Sequence, residues 1–239
     1  MKTLVYTVSD FSPGADSCIN MLYDSMTLDS DTDFCVVATK TITGKFKHNI
    51  VVAPLPKGYP GFLKSSEMVP KGYDQYVYLD SDVFCFGNPK SLIHPDKEFS
   101  VVFEGREMID RWYAYDKAPR EDKLKMEKVF GMNAGTFCFK DIGFLEEIRG
   151  LWHRWVQWGS SMGVDARLEQ SSFNYAVSRR VDFDFSKCHD ITPVTQLQAA
   201  IMPYDPAKYL YHFTGPPNTM AGKAYVMGEF LKRKDPGNS

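Results

Sequence analysis

The sequence predicts an α/β fold with a mostly parallel central sheet that presents ligands at the carboxyl ends of its strands. Three observations point there: short apolar, β-prone runs recur, helical patterns lie between several of them, and the run Tyr76 to Leu79 leads straight into a carboxylate pair, Asp80 and Asp82. The strand-like runs are Thr3 to Val8, Phe34 to Ala38, Ile50 to Ala53, Gln75 to Leu79, Phe99 to Phe103 and Gly135 to Phe139. After Pro13-Gly14, the residues Ala15, Cys18, Ile19, Leu22 and Met26 share one face of a helix. A second amphipathic helix is predicted over Asp141 to Trp158, with Leu145, Ile148, Trp152 and Trp155 on its apolar face, and a third opens at Leu168. Glu104 to Phe130, charged and aromatic with Arg106, Arg111, Trp112, Tyr113 and Tyr115, reads as an excursion from the sheet and a candidate lid.

A chain of 239 residues is most simply one domain, 1–239. Its 44% hydrophobic and 14% aromatic content supports a sizeable core. A formal net charge of −2 gives no bulk attraction to nucleic acid or anionic membrane, so a charged partner has to be recognised locally. The five cysteines, Cys18, Cys35, Cys85, Cys138 and Cys188, are odd in number and widely spaced, which suggests small core residues in a reducing compartment. No apolar stretch approaches the ~20 residues of a transmembrane segment. The expectation is a soluble, cytoplasmic protein.

Asp-x-Asp is a cheap pattern, and the chain has four: Asp29/Asp31, Asp31/Asp33, Asp80/Asp82 and Asp182/Asp184. The first two sit in a polar run that reads as a solvated loop, and Asp182 to Phe185 alternates as a half-exposed strand would. Only Asp80 and Asp82 follow a run apolar enough for a central strand. Hard oxygen ligands at a strand terminus suit a divalent cation carrying a phosphate ester. The turn Ser9 to Gly14 holds neither GxGxxG nor a Walker A pattern, which removes the main support for nicotinamide and P-loop readings.

Four further segments accompany the pair: Lys64, 16 residues before Asp80; Met132-Asn133-Ala134-Gly135-Thr136; Leu168-Glu169-Gln170 through Asn174; and Tyr211-His212-Phe213-Thr214-Gly215. In this order and spacing the chain resembles the family-eight glycosyltransferases, the group of glycogenin and the bacterial lipooligosaccharide galactosyltransferases, over roughly residues 1 to 218, with a short C-terminal helix or tail after. The resemblance implies a GT-A fold, a Rossmann-like nucleotide-diphospho-sugar transferase domain. Its metal ligands would be Asp80, Asp82 and His212, holding Mn²⁺, with Mg²⁺ the alternative. Lys64, Asp80, Ser81, Ala134, Gly215 and Asn218 would face the nucleotide diphosphate sugar, and Thr7 and Asp10 its base and ribose.

Asn133, Glu169 and Gln170 would act at the reacting sugar. The implied activity is retaining transfer from a nucleotide sugar, by family habit a UDP-sugar, to a hydroxyl on a glycan, protein or lipid. Two departures stand out: Glu169 replaces the family's Asp, and Asn218 replaces a Lys, so one diphosphate cation is missing unless Lys223 reaches in. The rival readings are a haloacid-dehalogenase-type phosphatase, which normally carries Asp-x-Asp near the chain start, and a non-catalytic nucleotide-sugar-binding protein.

Overall fold

The computed structural model describes residues 1–9, 12–46, 48–51, 64–107, 119–126, 130–162 and 168–234. In chain order the elements are β1 (Thr3–Ser9), α1 (Ala15–Ser25), β2 (Thr32–Ala38), β3 (His48–Val51), β4 (Gln75–Leu79), β5 (Val83–Cys85), β6 (Phe99–Glu107), α2 (Arg120–Met126), β7 (Phe130–Phe139), α3 (Gly143–Met162), α4 (Leu168–Arg180), β8 (Cys188–Asp190), β9 (Thr195–Leu197), β10 (Leu210–His212) and α5 (Met220–Lys234). Seven strands form one sheet in the order β3-β2-β1-β4-β7-β6-β8, and three form a second, β5-β10-β9.

The large sheet is parallel from β3 through β4 and again between β6 and β8, while β7 runs antiparallel to both its neighbours. Successive side chains of a strand point to opposite faces, and here both faces are covered. Leu4, Tyr6, Tyr76, Tyr78, Phe137 and Phe139 pack beneath α3 and α4, against Phe144, Leu145, Ile148, Phe173 and Val177. Val5, Val36, Val77 and Leu79 pack on the other side with Ile19 and Leu22 of α1. A third cluster, Phe84, Tyr211, Phe213, Met227 and Phe230, joins the small sheet to α5. All five cysteines are buried and unpaired, in line with the core role expected of them.

Several sequence expectations need correction. Asn133-Ala134-Gly135 does not precede β7 but lies inside it, because β7 starts at Phe130 and pairs with β6 on that stretch. The segment expected to leave the sheet at Glu104 continues as β6 to Glu107, with register shifts that bend the pairing. Its aromatic stretch 108–118 lies outside the described residues, as do Val52 and Ala53 at the end of the third predicted strand.

Asp182 and Phe183 are not strand residues. Their φ values of 52° and 57° form the turn that ends α4, where Phe183 N–H donates to the Ser178 carbonyl at 2.7 Å, and a short 3₁₀ turn over Phe185–Lys187 follows. The chain has to reverse there to reach β8. Among the described residues, no helix is long and apolar enough to cross a membrane.

Candidate metal centre

Because β4 is buried along its whole length and ends at Leu79, the next residue emerges at the carboxyl edge of the sheet. Asp80 N–H donates to the Gly135 carbonyl of β7 at 2.7 Å, and a tight turn returns Val83 N–H to the Asp80 carbonyl at 3.2 Å. The chain then enters β5, whose Val83 pairs with His212 at the end of β10. Phe213 N–H donates to the Asp82 carbonyl at 3.0 Å, which ties the two loops together. Sequence positions 80, 82 and 212 are thereby brought to one point.

His212 Nε2 lies 3.5 Å from Asp80 Oδ2 and 3.4 Å from Asp82 Oδ1. The imidazole is 4% exposed, and its Nδ1 has no hydrogen-bond partner. Burial, the largest influence, pushes His212 toward its neutral form. Asp82 and Asp80 together outweigh burial and hold the pKa at about 9. Burial also penalises both carboxylates, yet both are held below the usual range: Asp80 by Lys64, His212 and Tyr78, and Asp82 by His212 and Lys223 against the repulsion of Asp80.

Lys64 Nζ lies 3.1 Å from Asp80 Oδ1 and also donates to the Ala134 carbonyl at 3.1 Å. The Tyr78 hydroxyl donates to the same Asp80 oxygen. On the far side, Lys223 Nζ lies 2.9 Å from Asp82 Oδ2.

Two observations test whether a divalent cation fits. Ligand atoms bonded at right angles to one cation at about 2.1–2.4 Å lie about 3.0–3.4 Å apart, close to the spacings His212 makes with the two carboxylates. Two carboxylates and one imidazole suit Mn²⁺ better than the strongly hydrated, all-oxygen environment Mg²⁺ prefers. The second observation is Gly135. A Cβ there would come 2.1 Å from His212 Cε1 and 2.5 Å from Asp80 Oδ2, so only bare backbone lets these groups converge. The three side chains are the one such cluster of potential metal ligands among the described residues.

The remaining expected residues fall at several distances from this centre. Asn133 is buried beside it; its Oδ1 accepts from Gly135 N–H at 2.8 Å and its Nδ2 donates to Glu104 Oε1 at 2.8 Å. Ala134 meets the centre through Lys64. Ser81 is half-buried in the turn between the carboxylates. Thr7 is buried on β1, one residue beyond the last pairing with β4, and its hydroxyl has no partner. Gly215 (φ 78°) and Asn218 are exposed in the loop after β10.

Gln170 lies half-buried in the first turn of α4. Glu169 is in the same turn, but its side chain lies outside the described residues, and Asp10 is outside them altogether.

Three residues contribute more than the sequence indicated. Asn174, expected only as part of the Gln170 motif, clamps α4 to β7. Its Oδ1 accepts from Met132 N–H at 2.6 Å, and its Nδ2 donates to the Met132 and Gln170 carbonyls, each at 2.8 Å. Glu104 belongs to β6 and buttresses Asn133. Lys223, considered only as a stand-in for the cation missing at Asn218, is bound to Asp82 itself. A lysine in an amphipathic helix carries no local signal of such a contact.

No protein-family model matches the chain, and no curated protein matches it in sequence. Solved structures do match in fold. One is the galactosyltransferase LgtC in complex with donor and acceptor sugar analogues, at 14% identity and a TM-score of 0.55, covering 96% of this chain and 95% of that one. A glutamine-to-glutamate active-site mutant of LgtC matches at 14% identity and a TM-score of 0.56. The apo form of the glycosyltransferase GlyE of Streptococcus pneumoniae matches at 10% identity and a TM-score of 0.55, over 98% of this chain and 64% of that one. The chain has the GT-A fold of these glycosyltransferases, in agreement with the family-eight resemblance carried by its motif order.

Proposed function

We propose that the chain is a metal-dependent glycosyltransferase that moves a sugar from a UDP-sugar to a hydroxyl of a glycan, protein or lipid acceptor, with retention of anomeric configuration. One observation carries the reading: Asp80, Asp82 and His212 converge at the carboxyl edge of the sheet against the bare backbone of Gly135. Its context is a fold shared with LgtC, whose structure holds donor and acceptor sugar analogues.

Asp80, Asp82 and His212 would hold Mn²⁺, which when bound neutralises charge developing on the leaving diphosphate. Lys64 and Lys223, each paired with one carboxylate, would also donate to phosphate oxygens in this reading. Asn133 and Ala134 face the donor sugar in this reading. Asn133 uses one amide hydrogen and one carbonyl lone pair internally, and keeps the others for a sugar hydroxyl.

Gln170 is a neutral amide and a poor nucleophile, so its role is to orient the sugar and stabilise the oxocarbenium-like centre. LgtC also has a glutamine in its active site. Glu169 lies beside it. Thr7 and Asp10 would hold the nucleoside, and Ser81, Gly215 and Asn218 would line the diphosphate.

The test is NMR of the first product formed from an α-linked UDP-sugar with Mn²⁺ and an acceptor. An α-linked product is expected. A β-linked product would mean inversion, which requires a general base at the acceptor hydroxyl, and Glu169 would then be the leading candidate.

A further inference from the structure

The four carboxylate oxygens of Asp80 and Asp82 divide between two kinds of partner. The inner two, Asp80 Oδ2 and Asp82 Oδ1, face His212 Nε2 at 3.5 and 3.4 Å. The outer two face ammonium groups, Asp80 Oδ1 with Lys64 at 3.1 Å and Asp82 Oδ2 with Lys223 at 2.9 Å. The Lys223 side chain is only 9% exposed, and lysine seldom buries to that degree unless paired. It comes from the first turn of α5. That helix comes this close because Gly14, at φ 94°, leaves room: a Cβ there would sit 2.5 Å from Ala221 Cα.

We propose that Lys223, together with Lys64, couples entry of the divalent cation to entry of the diphosphate: the two ammonium groups balance the paired carboxylates until an anion arrives. This rests on the donor-site reading above. With two carboxylates already faced by two ammonium groups as well as by His212, a cation arriving alone adds uncompensated positive charge to a part-buried centre, where charges interact far more strongly than in water. A nucleotide diphosphate is a polyanion that can accept hydrogen bonds from the same two lysines. Each ligand therefore relieves the electrostatic penalty of the other, and such coupling is reciprocal. A purely structural Lys223 that only held Asp82 in place would behave differently. Its removal would weaken cation binding by a similar factor, about 10–100-fold, with and without nucleotide.

The two behaviours separate in titrations of Mn²⁺ followed by the electron paramagnetic resonance signal of the free ion, with and without UDP. In the wild type, UDP should tighten Mn²⁺ binding about 10–100-fold. Lys223→Met should bind Mn²⁺ alone more tightly and lose about tenfold of the UDP enhancement, while Lys223→Arg keeps it. Lys64→Met should move in the same direction as Lys223→Met and replaces it should that variant not fold. An unchanged enhancement in the Met variant, or equal weakening with and without UDP, would overturn the coupling while leaving the donor site standing. A wild type that binds Mn²⁺ neither alone nor with UDP would overturn the donor-site reading, and the coupling with it.

Discussion

Gly135→Ala is expected to disable the centre while leaving the fold in place. The added Cβ would fall 2.1 Å from His212 Cε1, 2.5 Å from Asp80 Oδ2 and 2.9 Å from Asn133 Oδ1, so both proposed ligands and the side chain bridging to Glu104 have to shift. Overpacking of this kind destabilises by about 1–3 kcal/mol. Displacing proposed metal ligands by about 1 Å should reduce Mn²⁺ and UDP binding and turnover by at least ~10²-fold, an effect of the size expected when reacting groups are misplaced by that distance. Thermal melting and calorimetric titration of the variant separate the two effects. Binding at wild-type affinity would show that the trio does not hold the cation.

Asn174→Ala should give the largest loss of stability. Met132 lies beyond the stretch of β7 that β4 covers, the last pairing being Leu79 with Thr136, and the Asn174 amide serves its N–H and C=O as a neighbouring strand would. Truncation leaves both backbone groups buried without that partner and frees the Gln170 end of α4. Each lost partner of a buried group costs about 1–3 kcal/mol, so a loss of about 3–5 kcal/mol is expected in chemical denaturation. Asn174→Asp should restore only part of it, since a carboxylate accepts from Met132 N–H but donates to neither carbonyl. A change below ~1 kcal/mol in Asn174→Ala would contradict the clamp.

How far the sequence could be read varied with the kind of interaction involved. Buried strands such as β1 and β4 announce themselves because they are rich in apolar, β-branched and aromatic residues between polar turns. β8, β9 and β10 have three residues each, too few to show any periodicity, and only the His212 motif hinted at β10. The direction of β7 left no trace, since an apolar run has the same composition either way.

At the centre, the order of the motifs named Asp80, Asp82 and His212, which the fold brings together. What it did not reveal was how these residues are held. Asn133 read as a group facing the sugar and Asn174 only as the end of a motif, yet much of their hydrogen bonding goes to backbone. Lys223 meets Asp82 across 141 residues of chain, a contact fixed by the packing of α1 against α5 and invisible to local pattern.

The most direct test of the central claim is release of UDP from a panel of UDP-hexoses, measured with and without Mn²⁺ in the wild type and in Asp82→Asn. An amide is a far weaker partner for a divalent cation than a carboxylate. The wild type should release UDP only with the metal, slowly without acceptor and faster with one. Asp82→Asn, melting near the wild-type temperature, should be slower by at least ~10²-fold, about 2.7 kcal/mol of transition-state stabilisation. Release by the wild type without any divalent ion, or turnover by folded Asp82→Asn at the wild-type rate, would contradict a metal-dependent transferase built on Asp80, Asp82 and His212.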